Sequence, residues 1–196
     1  MKKALVTTLM AAVIGGSLQA GGDIAPVVPM PADDSGFYVG GGLAAVSTYG
    51  DDLSWFDETS GQDRTGALVG IVGYQFNRYV AVEGRAGFGV ITGDFSENYN
   101  VSLFVKPMYP VTDAFTVYGL LGYGWVNIDG YHGYPDIAST GSFQWGLGAG
   151  YKLDDNWELF ADYTWLLHNE DADHPLPDGS RDVSHEMFTV GALYHF

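Results

Sequence analysis

The chain has no cysteine, few basic residues and no apolar run long enough for a membrane-spanning helix. Without cysteine among its 196 residues, it can carry neither a disulfide framework nor a lipid on an N-terminal cysteine. It has 8 lysines and arginines against 24 aspartates and glutamates, and the formal net charge is −16. This charge argues against nucleic acid as a partner, because binding to phosphates requires basic side chains.

Glycine and aromatic residues are abundant, with 28 glycines and an aromatic content of 15%. Disordered chains are poor in aromatic residues, so this composition predicts a folded protein. The length allows one domain. Large aromatic side chains combined with many glycines, which have no side chain, indicate many strands in close contact.

The first 20 residues have the parts of a secretory signal peptide. Lys2 and Lys3 give a positive start, and the apolar stretch that follows ends in small residues before Gly21. The stretch is too short to span a bilayer. We therefore expect residues 1–20 to be removed. Residues 21–35 contain three prolines, which cannot join a central strand, and are expected to form an extended periplasmic segment.

Eight segments alternate apolar residues with others at the period of a β-strand. Each has about ten residues, the length that a tilted strand needs to cross a bilayer. Tight turns at 77–79, 110–114 and 154–156 alternate with long polar stretches, as in up-and-down barrels with periplasmic turns and external loops. The segments are 36–48, 65–76, 80–90, 99–109, 115–126, 142–153, 157–167 and 183–196, and the polar stretches are 49–64, 91–98, 127–141 and 168–182.

Aromatic residues mark both ends of the predicted outward stripes. Trp157 and Trp165 bracket a stripe of about 25 Å, given roughly 3.3 Å per residue. A sandwich also alternates, but it seldom places tryptophan and tyrosine at both ends of its apolar face. Only residues 68–72 leave neither face clearly polar. The predicted girdle and closing strand comprise Trp145, Tyr151, Trp157, Trp165, Phe188, Tyr194 and Phe196.

The charged residues within strands share the inward faces. An eight-stranded barrel has an interior that side chains just fill, where unpaired charges are costly and paired ones are tolerated. We therefore predict a network that closes the lumen, with an ion or proton pathway as the alternative. Inward glycines leave room for Phe104, Tyr118 and Phe160. The network comprises Glu83, Glu158 and Asp162 with Arg85, Lys106 and Lys152.

Both ends of the predicted barrel resemble a known family. The last strand ends on Phe196 with Tyr194 two residues before it, which resembles the closing strand of bacterial outer-membrane β-barrel proteins. The stretch Gly36–Leu43, an aromatic pair followed by glycines, is similar to the first strand of small barrels typified by the transmembrane domain of outer-membrane protein A. The resemblance covers 36–196. It implies a bacterial outer membrane, with its lipid and lipopolysaccharide as surroundings and the barrel-insertion machinery as a partner. No peptidoglycan-binding domain is expected after Phe196.

Some barrels of this size modify lipid A, and such enzymes need a serine that is activated by a histidine. Ser184 and His185 are adjacent on a strand and are therefore expected to face opposite ways. Ser180 and His168 are further candidates, but no His-x-Ser motif is present. We therefore expect neither enzymatic activity nor a cofactor.

Ten of the 24 acidic residues fall in the first and fourth polar stretches. Clustered oxygens can hold calcium or magnesium, and mixed histidine and carboxylate sets can hold a transition metal. Residues 168–174 lack a calcium-loop pattern with its required glycine, so we favour a solvated acidic surface with divalent cations bridging it to lipopolysaccharide. The weak candidates for a metal site are His168, Glu170, Asp173 and His174.

These features predict an all-β protein with an eight-stranded antiparallel up-and-down transmembrane β-barrel over 36–196. We expect a monomer whose acidic external loops carry a structural and surface-interaction role. A narrow passive channel for small solutes or ions is the main alternative. A lipid A-modifying enzyme is the less favoured one.

Overall fold

Eight antiparallel strands form a closed barrel in the computed structural model, as the alternation predicted. The structure describes residues 34–50, 62–91, 96–130, 138–171 and 181–196. Each strand pairs with the next, and β8 pairs with β1, so that no edge remains free. Within the described residues there is no helix long and apolar enough to cross a membrane. The strands are β1 Gly36–Gly50, β2 Gln62–Asn77, β3 Val80–Ile91, β4 Ser96–Pro110, β5 Phe115–Gly130, β6 Ala138–Lys152, β7 Trp157–Asp171 and β8 Asp182–His195.

The three short turns are each held by one side-chain oxygen. Asn77 Oδ1 accepts hydrogen bonds from the backbone nitrogens two and three residues ahead, at 2.8 and 3.1 Å. Thr112 Oγ1 does the same at 3.3 and 2.9 Å, and Asp154 Oδ1 at 2.9 and 2.7 Å. Such side chains favour tight turns because they satisfy the free backbone donors. We call this the turn end of the barrel and the opposite end the loop end.

The strands are longer than predicted at the loop end. β2 begins at Gln62 rather than Thr65, β5 ends at Gly130 rather than Val126, and β6 begins at Ala138 rather than Ser142. Polar residues end the apolar alternation there, but backbone pairing does not depend on side-chain polarity. The alternation therefore marked the apolar belt and not the full ladder.

The outward face is apolar around the barrel. Leu43, Leu103 and Phe143 are 62 to 65% exposed, which is costly in water and favourable in an apolar surrounding. β2, whose facing the sequence left open, turns Leu68 and Val72 outward and buries Val69 and Ile71. Both of its faces are apolar because part of the lumen is apolar too.

Large inward rings lie over glycines of neighbouring strands. A Cβ at Gly73 would lie 2.2 Å from Cζ of Tyr38, and one at Gly148 would lie 2.6 Å from Cζ of Tyr118. No side chain fits at such distances. The glycines therefore allow the rings to pack along the wall.

Candidate functional site: the barrel lumen

Four charged side chains meet inside the turn half of the lumen. Glu83 and Arg85 come from β3, Lys106 from β4 and Asp162 from β7, and each is at most 3% exposed. Strand parity turns them all inward, because inward positions recur at every second residue. We call these four residues the central ion cluster.

The central ion cluster is neutral and closely paired. Arg85 donates to Glu83 Oε1 at 2.5 Å and binds both oxygens of Asp162, at 3.0 and 2.7 Å. Lys106 Nζ donates to Glu83 Oε2 at 3.0 Å. The two-pronged contact between Arg85 and Asp162 is among the strongest side-chain pairings. Two acids and two bases therefore compensate the loss of hydration for one another.

Two tyrosine hydroxyls complete the hydrogen bonding of the carboxylates. Tyr38 donates to Glu83 Oε2 at 2.8 Å, and Tyr118 donates to Asp162 Oδ2 at 2.9 Å. The Tyr118 ring also lies 4.1 Å from Lys106 Nζ, a cation–π distance. All four carboxylate oxygens of the cluster thus have a donor.

The sequence did not predict these tyrosines as members of the network. Tyr118 was expected to be a large inward residue, and its parity could have suggested the contact. Tyr38 lies in a glycine-rich strand, in which alternation gives little indication of facing.

The other two predicted network residues lie nearer the turn end. Glu158 Oε2 is 3.3 Å from His195 Nε2, so a histidine is its close partner. Lys152 lies directly across the ladder from Glu158, but its side chain is exposed at the rim. The prediction that Lys152 belongs to the internal network is therefore not what the structure shows, because its strand ends there and the side chain reaches solvent.

A layer of uncharged polar side chains follows toward the loop end. Ser102 donates to Gln144 Oε1 at 2.5 Å across Gly124 of the intervening strand. All members of this layer are at most 4% exposed. We call Asn100, Ser102, Gln144, Thr164 and Thr189 the polar layer.

The loop half of the lumen is largely apolar, which the prediction of a polar interior missed. Leu166 and Leu167 are both buried because the β7–β8 register shifts beside them and interrupts strict alternation. Thr48 and His185 share a hydrogen bond of 2.8 Å within this half, and His185 lies between Met187 and Val183 on the inward face of β8. Six side chains of this half are at most 1% exposed and belong to a packed cluster that also includes residues nearer the turn end. We call these six the apolar layer: Val46, Val126, Ile128, Leu166, Val183 and Met187.

The predicted girdle residues lie on the outer wall in two groups. Trp145 and Trp165 stack at 3.9 Å between ring centroids, toward the loop half. Trp157, Tyr194 and Phe196 form edge-to-face contacts at the turn end, with centroids 5.1 and 5.2 Å apart. Tyr151 and Phe188 are 52% and 43% exposed on the same outer wall.

A buried carboxylate on the outer wall was not predicted. Glu186 pairs across the ladder with Trp165 and is only 6% exposed. Tyr49 donates to its Oε1 at 2.5 Å, and the hydroxyl of Tyr163 contacts its other oxygen. Aromatic residues therefore cover an acid that would otherwise interrupt the apolar belt.

Comparison with known proteins decides the family. The profile of the outer membrane protein beta-barrel domain matches residues 8–196. The chain belongs to this family. It is thus a barrel of the bacterial outer membrane, whose exposed outer wall faces lipid.

Solved structures of other outer-membrane barrels share the fold. Ail, the attachment invasion locus protein of Yersinia pestis, solved with the heparin analogue sucrose octasulfate, aligns with a TM-score of 0.56 at 19% identity, over 83% of this chain and 99% of Ail. Neisserial surface protein A aligns at 0.60 and 14% identity, over 83% and 98%. OprG from Pseudomonas aeruginosa aligns at 0.50 and 15%, over 85% and 98%. Among curated proteins none matches the sequence.

The candidate metal and catalytic residues of this outer-membrane barrel are only partly described. His168 is exposed near the end of β7, Glu170 lies in that strand, and Asp173 and His174 fall outside the described residues. Within the described ranges no three histidines or acids group as metal ligands would. His185 is buried inside the lumen, where its Nδ1 shares a hydrogen bond with the Thr48 hydroxyl. Ser180 lies outside the described residues.

Proposed function

We propose that the lumen of this outer-membrane barrel does not conduct ions or solutes, and that the acidic loops carry a structural and surface-interaction role. The central ion cluster is the observation that carries the proposal. It joins three strands through Glu83, Arg85, Lys106 and Asp162 and leaves no net charge to attract a permeating ion. An eight-stranded barrel has little interior space beyond its side chains, so such a cluster obstructs the lumen.

The proposed interaction surface is the loop end, placed outside the cell with the short turns in the periplasm. Ten of the 24 acidic residues lie in the first and fourth polar stretches, 49–64 and 168–182, which connect strands at this end. The surface of the outer leaflet is anionic, so divalent cations are needed to bridge it to these acids. A sulfated polyanion such as the ligand of the Ail structure is a poor match for a chain of net charge −16.

The deciding experiment is conductance of the purified full chain in a planar bilayer. We expect no steady current, because buried side chains, the central ion cluster among them, fill the lumen. A stable, reproducible unitary conductance would favour the alternative function, a narrow passive channel. Mass spectrometry of lipid A after incubation with the protein tests the enzymatic alternative, for which we expect unchanged acyl chains.

A further inference from the structure

The inward positions of β7 give the order of the layers within the lumen. From the turn end these positions are Glu158, Phe160, Asp162, Thr164 and Leu166, so that beyond Phe160 they run from charged through polar to apolar. On β8, Thr189 lies across the ladder from Asp162 and is followed toward the loop end by Met187, across from Thr164, so that the polar residue again precedes the apolar one. The polar layer therefore lies between the central ion cluster and the apolar layer.

The polar layer has hydrogen-bonding capacity that no described residue uses. The amide nitrogens of Asn100 and Gln144 and the hydroxyls of Thr164 and Thr189 lack a partner among the residues that the structure describes. All four side chains are at most 2% exposed. Buried polar atoms are nearly always satisfied by protein or by ordered water, since leaving one unpaired is costly. These atoms therefore point to water as their partner.

The apolar layer has the opposite character. Its side chains come from β1, β5, β7 and β8, strands on opposite sides of the barrel, and all belong to one packed cluster of fifteen buried residues within the described ranges. Val46, Val126 and Met187 offer no hydrogen bond to a water molecule or to the hydration shell of an ion. Hydrophobic constrictions exclude ions by excluding water.

We propose that the polar layer binds water molecules and that the apolar layer is the decisive barrier to ions, the central ion cluster being an obstruction that water can loosen. Charged and polar side chains can exchange their partners for water as ions approach, whereas the apolar layer cannot. This inference rests on the proposed closed lumen and assigns the closure to particular residues.

The barrier is tested by conductance of matched variants of the full chain in a planar bilayer. Met187→Ser and Leu166→Ser introduce a polar group and space at the barrier, and we expect steady unitary currents from both. Met187→Leu keeps the layer apolar and is expected to stay closed, as is Lys106→Met in the central ion cluster. Heat-modifiable gel migration first establishes that each variant is folded.

The outcomes separate the two proposals. Steady current through the wild type would overturn the proposal that the lumen is non-conducting. A closed wild type with current through Lys106→Met but not through folded Met187→Ser or Leu166→Ser would overturn the apolar barrier while leaving the closed barrel intact. Current only in variants that alter both the apolar layer and the central ion cluster would also overturn the apolar barrier, because the two would then be equal barriers.

The bound water is tested by the sign of a stability change. Thr164→Val and Thr189→Val replace a hydroxyl by a methyl group of similar size. If water satisfies these hydroxyls, each variant loses hydrogen bonds, and we expect a lower midpoint of unfolding in urea. Thr140→Val, half-buried on β6, is the control and should change the midpoint little. Higher midpoints for both buried variants would show dry, unpaired hydroxyls and would contradict a water site.

Discussion

At the residue scale, burial separates side chains that the sequence treats alike. Lys106 and Lys152 both have inward parity, yet Lys106 is 3% exposed and Lys152 is exposed at the rim. Burial deprives Lys106 of water and makes its ion pair with Glu83 necessary. The position along the strand, as well as its parity, therefore sets the energetic role of a charge.

Lys106→Met should lower the free energy of unfolding by about 3–5 kcal/mol, because it leaves the cluster with an uncompensated buried acid. Lys152→Met is the matched control and should change it by less than about 0.5 kcal/mol, as is usual for surface substitutions. Urea titration of the folded barrel in lipid vesicles measures both. Equal losses for the two variants would contradict the structural distinction between them.

Tyr118→Phe should cost about 1.5–3 kcal/mol, the range for a hydrogen bond to a charged group, because Asp162 loses a donor. Tyr123→Phe changes the same residue type on the same strand, but Tyr123 is 62% exposed on the outer wall. That variant is expected to be nearly neutral. If Tyr118→Phe were as harmless as Tyr123→Phe in the same urea titration, its hydroxyl would not support the cluster.

At the scale of elements, each strand must match both of its neighbours. Glycines on one strand lie beneath the rings of the next, so a residue that is small in one place permits a large one elsewhere. The closing strand must in addition pair with β1, where Gly41 lies opposite Ala192. A substitution that disturbs the packing of one strand is therefore expected to affect its pairing with both neighbouring strands.

Gly73→Ala should destabilise the barrel, because its new Cβ would lie 2.2 Å from the Tyr38 ring and force that ring to shift. We expect a loss of about 1–3 kcal/mol in urea unfolding, the usual range for overpacking. Gly70→Ala lies on the same strand, where the nearest atom would be 4.0 Å away. This control should be neutral or slightly stabilising, and a reversed order would refute the packing described.

Phe196→Asp should reduce assembly into the outer membrane, because the terminal aromatic is 75% exposed on the outer wall, where a charge is unfavourable in lipid. Phe196→Tyr keeps the aromatic ring and should assemble normally. The amount of heat-modifiable protein in outer-membrane fractions reports folding. Undiminished assembly of the Asp variant would remove the role proposed for the closing residue.

At the scale of the whole molecule, a closed barrel divides its connections between two ends. The three short turns lie at one end and the loops at the other, because the strands alternate in direction. The proposed sidedness places the acidic loops outside the cell. This arrangement makes the loops the part of the chain that is available to external partners.

A protease site inserted after Gly61 or after Asp173 should be cleaved on intact cells, whereas one inserted at Asp155 should be protected. Asp155 belongs to a short turn between β6 and β7, which faces the periplasm in the proposed orientation. Permeabilised cells provide the control in which all three sites are cleaved. Cleavage at Asp155 alone on intact cells would invert the topology.

The sequence alone determined the architecture, because alternation has a period of two and the apolar stripes must face lipid. It gave eight strands, three tight turns and the inward facing of Glu83, Arg85 and Asp162. The sequence did not predict where the strands end at the loop end, because backbone pairing continues beyond the last residue of the apolar pattern.

Only the tertiary structure decided which inward residues meet. Strand parity states a direction, but the distances between Tyr38 and Glu83 or between Glu158 and His195 depend on registers that accumulate around the closed barrel. The register shift that buries both Leu166 and Leu167 likewise arises from pairing with β8. The apolar layer of the lumen was therefore decided by the closed barrel and not by the pattern of any single strand.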